Sequence, residues 1–222
     1  MPDGVIFRES EPERGDELLE QIGLSREAAK HIGIYARRAF NNTSPMEPIS
    51  APGVNAWNKG TEALRNTLVP REGWKVGRNL GIESAVNHEK KLQLIYQNVR
   101  RACTFSDPQP LSPRGSVSRR MINDGTSDMF GSAPLDDLRP KELSYTVWLV
   151  CVCHVNDNLS VEVSRPKRFD GAWYDGFHER IFIIDSPLEE LLAQTSPTTP
   201  EPVESNDPDI YDVDVTPKSF PA

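Results

Sequence analysis

The densest apolar positions in the chain run from Tyr145 to Val155 and again from Leu159 to Val163, on either side of Asn156-Asp157-Asn158. Two β-rich runs around a turn cluster predict a hairpin. A three-residue loop with Asn158 left-handed pairs Val155 with Leu159, Cys153 with Val161 and Cys151 with Val163, all of them apolar. The opposite face then pairs His154 with Ser160, Val152 with Glu162 and Val150 with Ser164. A two-residue loop would set Cys153 against Glu162, and a slip of one residue moves a whole side-chain set to the other face. The all-apolar register is therefore the expected one. Trp148, Val150 and Val152 on its second face still require a cover, which a helix would supply.

Upstream, residues 1–14 carry no periodic signal. From Gly15 to Phe40 the spacing is helical, broken near Gly23-Leu24-Ser25, where Ser25 can cap a second helix. Asn41 to Gly53 reads as a loop. Val54, Trp57, Thr61, Leu64 and Leu68 recur at helical spacing, so Val54–Val69 is a predicted helix ended by Pro70. Short strands are expected at Trp74–Arg78 and Lys91–Val99, with Leu92, Leu94, Tyr96 and Asn98 sharing a face. Residues 103–141, rich in Ser, Pro, Gly and Asp, form a long loop. Lys167–His178 is turn-rich and aromatic, and Arg180–Ile184 is the last strand. The fold class is α+β: two or three N-terminal helices on a mainly antiparallel sheet of about five strands. The domain spans 15–185, and 186–222 is expected to be an acidic disordered tail with at most a short helix at Leu188–Ala193.

Composition adds little that is decisive. With 37% hydrophobic and 26% charged residues among 222, the chain can build a sizeable core. No apolar run is long enough for a membrane span, and the N-terminus lacks a signal segment. Three cysteines do not make a disulfide framework, which points to a reducing, cytoplasmic location. Charge is more informative. Residues 186–222 hold eight carboxylates and one lysine, −7 of the formal −8, whereas residues 86–125 hold seven cations against three carboxylates, +4. A basic middle and an acidic tail are the main asymmetry.

Five constellations carry possible chemistry. Cys151, Cys153 and His154 are soft metal ligands, but alternation sends the thiols and the imidazole to opposite faces, so buried cysteine is the favoured reading. In the expected register His154 and Glu162 lie diagonally on one face, within reach of an acid–base couple or an ordinary polar pair. Glu83, followed by Glu89-Lys90-Lys91 at the entrance of a strand, resembles the acid and E-x-K elements of restriction-endonuclease-like nucleases. That resemblance implies carboxylates holding Mg²⁺ and Lys91 helping to activate water. It covers about ten residues, and the proline–aspartate element of that family is missing. Leu24 to Phe40 resembles a helix-turn-helix with Tyr35, Arg37 and Arg38 facing DNA, but a single amphipathic helix with Gly33 inside it accounts for the same residues. Finally, Arg114, Arg119 and Arg120, with Lys90, Lys91, Arg100 and Arg101, suit phosphate contact.

No cofactor is expected outside the nuclease alternative, and no membrane partner. The leading expectation is a non-enzymatic binding or accessory protein whose basic region, residues 90–120, engages nucleic acid or an acidic protein surface, with the tail as modulator. A metal-dependent nuclease or a His154/Glu162 hydrolase is the alternative, and an interaction module built on Trp173, Tyr174 and Phe177 is a third.

Overall fold

A computed structural model describes residues 4–8, 12–79, 81–112, 119, 122, 145–155 and 157–195. In chain order the elements are β1 (Val5–Phe7), α1 (Pro12–Gln21), α2 (Arg26–Asn41), α3 (Ala51–Leu68), β2 (Trp74–Asn79), β3 (Ile82–Asn87), β4 (Leu92–Asn98), β5 (Thr146–Cys153), β6 (Asn158–Asp170), β7 (Trp173–Pro187) and α4 (Leu188–Thr195). Helix boundaries follow local chemistry. Pro12 opens α1, where a missing N–H costs nothing. Gly23 ends that turn at φ 77°, a conformation that burdens any side chain. Ser25 then caps α2, its hydroxyl accepting from the Ala28 amide at 3.2 Å. From there α2 is one continuous helix, so the helix-turn-helix alternative is not realised.

All seven strands form one sheet in the order β1-β7-β6-β5-β4-β3-β2. The class is α+β, but the sheet is larger and more mixed than five antiparallel strands. β4 and β5 are parallel, as are β1 and β7. β1 and β3 have no counterpart in the sequence pattern. β1 is only three residues long and is recruited to the β7 edge, and β3 carries Glu83, Ser84 and Asn87 among its six residues. β6 and β7 also run well past their expected ends, to a two-residue connection at Gly171-Ala172. Ser186 and Pro187 finish β7, and Leu188–Thr195 form α4, where the sequence allows a short helix at Leu188–Ala193; the remainder, 196–222, lies outside the described residues. Among those described, no helix is long and apolar enough to cross a membrane.

One sheet face packs against the helices. Trp148, Val150 and Val152 of β5 join Leu94, Tyr96, Val161, Val163 and Ile181 with Ile32, Ala36, Ala56 and Leu64 of α2 and α3, so the expected helical cover is present. Two helix glycines permit this approach. A Cβ on Gly33 would lie 2.4 Å from Val161 Cγ2, and one on Gly60 2.2 Å from the Tyr96 ring. On the other face the distal half of the β6–β7 hairpin supplies Phe169, Tyr174 and Phe177 to a second cluster with Val147, Leu149, Cys151 and Cys153. Tyr174 and Phe177 are thus core residues, and of the proposed aromatic interaction loop only Trp173 is exposed, at 39%.

The β5–β6 register differs from expectation by one residue. Cys153 pairs with Ser160, Val152 with Val161, Cys151 with Glu162 and Val150 with Val163. The expected pairing had put Glu162 opposite Val152 on a half-solvated face. In the structure Val150, Val152, Val161 and Val163 gather beneath the helices, and Glu162 goes to the second face, where Arg180 neutralises it. An ion pair, not apolar matching, completes that face.

Candidate functional site

Glu162 is fully buried and Arg180 is 1% exposed. They sit in paired strands one diagonal step apart, since Glu162 lies opposite Phe182. Arg180 Nε donates to Glu162 Oε1 at 2.9 Å and Nη2 to Oε2 at 2.7 Å. Ser164 Oγ donates to Oε1 at 2.7 Å, and the Cys103 amide to Oε2 at 2.6 Å. Four donors fill the lone-pair sites of the carboxylate. Burial alone would lower the Arg180 pKa, but the hydrogen bonds and charge of Glu162, with Asp107 behind them, hold it above its ordinary value. Arg180 Nη1 lies 3.5 Å from Asp107 Oδ1.

The pair clamps a neighbouring segment. Between Val161 and Glu162 the β6–β7 ladder shifts register, leaving Ile183 as an extra residue. Cys103 sits over this bulge, its thiol 3.1 Å from Val161 O and 3.3 Å from Ile184 O. Its backbone is left-handed, at φ 56°, a strain tolerated where surrounding contacts over-determine it. Burial pushes the thiol well up from its usual pKa, and the nearby Glu162 and Asp185 carboxylates add to the shift. A thiol held protonated is a donor and not a nucleophile. Glu162, with every lone pair occupied, is equally unsuited to take a proton from a substrate.

The expected acid–base couple is not formed. His154 belongs to the helix face, stacked on Phe40 with ring centroids 5.1 Å apart, and Glu162 is on the other side of the sheet. His154 Nε2 lies 3.3 Å from both Tyr96 Oη and Asn98 Oδ1, while Tyr96 donates to Asn98 Oδ1 at 2.8 Å. Asn98 Nδ2 in turn donates to Gly53 O at 2.8 Å, tying the ends of β4 and β5 to the first turn of α3. Burial, aided by the charge of Arg37, lowers the His154 pKa to about 4. The divergence of Cys151 and Cys153 from His154 follows from the same strand alternation.

This imidazole makes stability pH-dependent. Neutral in the fold and able to protonate near 6.5 once unfolded, it contributes stability that is complete above pH 6.5 and is lost as pH falls toward 4. The contribution is on the order of 3 kcal/mol. Urea midpoints measured from pH 7 to pH 4 are expected to fall, and His154→Gln is expected to flatten that slope. An unchanged slope in the variant would assign the acid sensitivity elsewhere.

The nuclease elements are equally separated. Glu83 lies near the start of β3, bonded to Arg65 at 2.5 Å and facing Arg78 at 3.5 Å, whereas Glu89, Lys90 and Lys91 form the turn after its far end. The four strand steps from Glu83 to Asn87 alone cover roughly 13 Å, with Glu89 in the turn beyond them. Glu83, Glu89, Lys91, His154 and Glu162 therefore do not converge.

The basic residues divide in the same way. Lys90 and Lys91 precede β4, and Lys90 lines a hollow beneath α1 beside the Arg165–Glu179 ion pair. Arg100 and Arg101 follow the other end of β4, roughly 30 Å along the strand direction. Arg100 lies over the Trp173 ring at 5.5 Å, Arg101 Nε donates to Asp107 O at 3.4 Å, and Arg119 Nη1 donates to Gly171 O at 3.0 Å. Arg114 and Arg120 lie outside the described residues.

Sequence reasoning missed Cys103, Asp107 and Arg180. One partial signal was available: Glu162 is a charge between two valines, and Arg180, of opposite sign, opens the apolar run 181–184 in the other strand of the same hairpin. Comparison of the chain with protein-family models, with curated proteins and with solved structures finds no match.

Proposed function

We propose that the chain is a non-enzymatic binding protein for single-stranded nucleic acid, engaged through Arg100, Arg101, Arg119 and Trp173. The observation that carries this reading is the exposed Trp173 ring at the β6–β7 turn, with the Arg100 guanidinium over it and Arg119 bonded to the same turn. An aromatic face flanked by guanidinium groups accepts a stacked base of any sequence while the cations meet phosphate. Lys90 and Lys91, at the opposite end of β4, fall outside the surface. The acidic residues that follow α4, the carboxylates of 201–214, compete for it and tune affinity.

The test uses the full chain and a fluorescent single-stranded oligonucleotide titrated at several salt concentrations. Three phosphate contacts give a log–log salt slope of about −2. Changing Arg100, Arg101 and Arg119 to Ala is expected to remove that slope, Trp173→Ala to weaken binding about tenfold or more, and Lys90→Ala/Lys91→Ala to change little. Converting the carboxylates of residues 201–214 to amides is expected to tighten binding. Binding that ignores the arginines but fails with the lysine pair would overturn the assignment.

A further inference from the structure

A cleft of about 320 Å³ opens beside Cys103, at the edge where β1 lies along β7. Its walls include Ile6, Phe182 and Ile184, and its rim carries Arg8, Phe105 and Asp185. Phe105 is 75% exposed, and Arg8 holds its guanidinium 5.0 Å above the ring. We propose that this cleft binds a nucleoside monophosphate unit, with the base on its apolar walls, the phosphate at Arg8 and the amino edge of the base at Asp185.

Three independent features lead there. The volume is at the low end for ligand sites, enough for one heteroaromatic ring with its substituents. The Glu162 clamp and the left-handed Cys103 fix the backbone from which Thr104 and Phe105 project, so the aromatic rim is mounted on a rigid base. Charge spacing then selects the ligand. Phe7 pairs with Ile181, so Arg8 follows it toward Phe182, and Asp185 lies beyond the Ile183 bulge, two register steps or roughly 7 Å further along β7. An aromatic amino acid carries both charges on one carbon and cannot span that distance. A nucleoside 5′-monophosphate separates phosphate from base by a ribose and can.

The acceptor sets the base preference. Asp185 Oδ1 already accepts from Ser160 Oγ at 2.7 Å, and a carboxylate retains capacity for further N–H donors. Guanine presents two adjacent donors, an imino and an amino N–H, whereas uracil presents one N–H between two carbonyls. The cleft is therefore selective for guanine over uracil. This site is separate from the Arg100–Trp173 surface and does not depend on it.

Titration calorimetry of the full chain with GMP, AMP, CMP and UMP tests the proposal, with a short 5′-phosphorylated oligonucleotide distinguishing a free nucleotide from a strand terminus. GMP is expected to bind with a Kd below about 1 mM. Arg8→Gln should weaken GMP about tenfold while leaving guanosine nearly unchanged, and Asp185→Asn should abolish the preference for GMP over UMP. Phe105→Ala should weaken every nucleotide. All three side chains are exposed, so unchanged melting curves are expected to accompany these losses. Arg100→Ala should leave GMP binding intact. Absence of heat with all four nucleotides at millimolar concentration, or GMP binding indifferent to Arg8→Gln and Phe105→Ala, would overturn it.

Discussion

Arg180→Met is expected to destabilise the protein by about 3–5 kcal/mol, because it leaves the Glu162 carboxylate buried without its cation. For a chain of this size that corresponds to a fall in Tm of roughly 6–20 °C. Glu162→Leu should cost a similar amount from the other side. The double variant Arg180→Met/Glu162→Leu should recover part of the loss, since an apolar pair of similar volume replaces a buried ion pair with little penalty. Recovery cannot be complete. Ser164 Oγ and the Cys103 amide both donate to Glu162, and each loses its acceptor, at about 1–3 kcal/mol for a buried group. The cycle should therefore show strong coupling and an incomplete rescue. Thiol labelling gives a second readout, because loss of the Glu162 clamp releases Cys103 from the bulge and should speed its modification by a thiol reagent. Losses that simply add, with unchanged Cys103 labelling, would mean that the pair does not hold the segment.

That cluster also explains why some of the fold was legible in the sequence and some was not. Helices α1, α2 and α3 announce themselves through their own residues: Ser25 as a cap, Pro70 as a stop, and apolar positions three and four apart. The strand character of β4 and β5, and the helical cover over Trp148, Val150 and Val152, follow equally from local pattern. The β5–β6 register does not. Apolar matching across two strands ranks Cys151 opposite Val163 above Cys151 opposite Glu162, because it cannot include Arg180 from a third strand or the Cys103 amide from a loop. Where a buried charge is satisfied by partners distant in sequence, two-strand reasoning assigns it to solvent and slips the whole ladder by one.

β1 and β3 fail to show for a related reason. β1 contributes only Val5, Ile6 and Phe7, too short for any periodic signal, and its place is set by the free edge of β7. β3 carries polar residues that bond within the sheet and to α3, with Gln93 Nε2 donating to Ser84 Oγ at 3.0 Å and Arg65 donating to Ser84 O at 3.1 Å. Buried polar residues with internal partners read as a loop when those partners are unknown. The candidate sites suffered likewise. The positions of His154 and Glu162 on opposite faces, and of Lys91 and Arg100 at opposite ends of β4, depend on register and strand length, whereas the stacking of Arg100 on Trp173 depends on the curl of a hairpin 70 residues downstream.

The second large effect is expected at Gly60. Alanine is favoured over glycine inside a helix by about 1 kcal/mol, so Gly60→Ala should stabilise if propensity were the only consideration. Here the new Cβ would meet Tyr96 Cε2 at 2.2 Å and Cζ at 2.3 Å, in the middle of the core between α3 and β4. The ring cannot retreat freely, since its hydroxyl is bonded to Asn98 and neighbours His154. Overpacking of this kind costs about 1–3 kcal/mol and outweighs propensity. Gly53→Ala, near the start of the same helix with open space around it, supplies the contrast and should change stability by a few tenths of a kcal/mol in either direction. In a Tyr96→Leu background the ring is gone, and Gly60→Ala should become neutral or mildly stabilising. Displacement of Tyr96 also disturbs the hydrogen bonds around His154, so Gly60→Ala should alter the low-pH loss of stability as well as the midpoint at pH 7. If Gly60→Ala proved as benign as Gly53→Ala, close approach of α3 to β4 could not be the reason for glycine at that position.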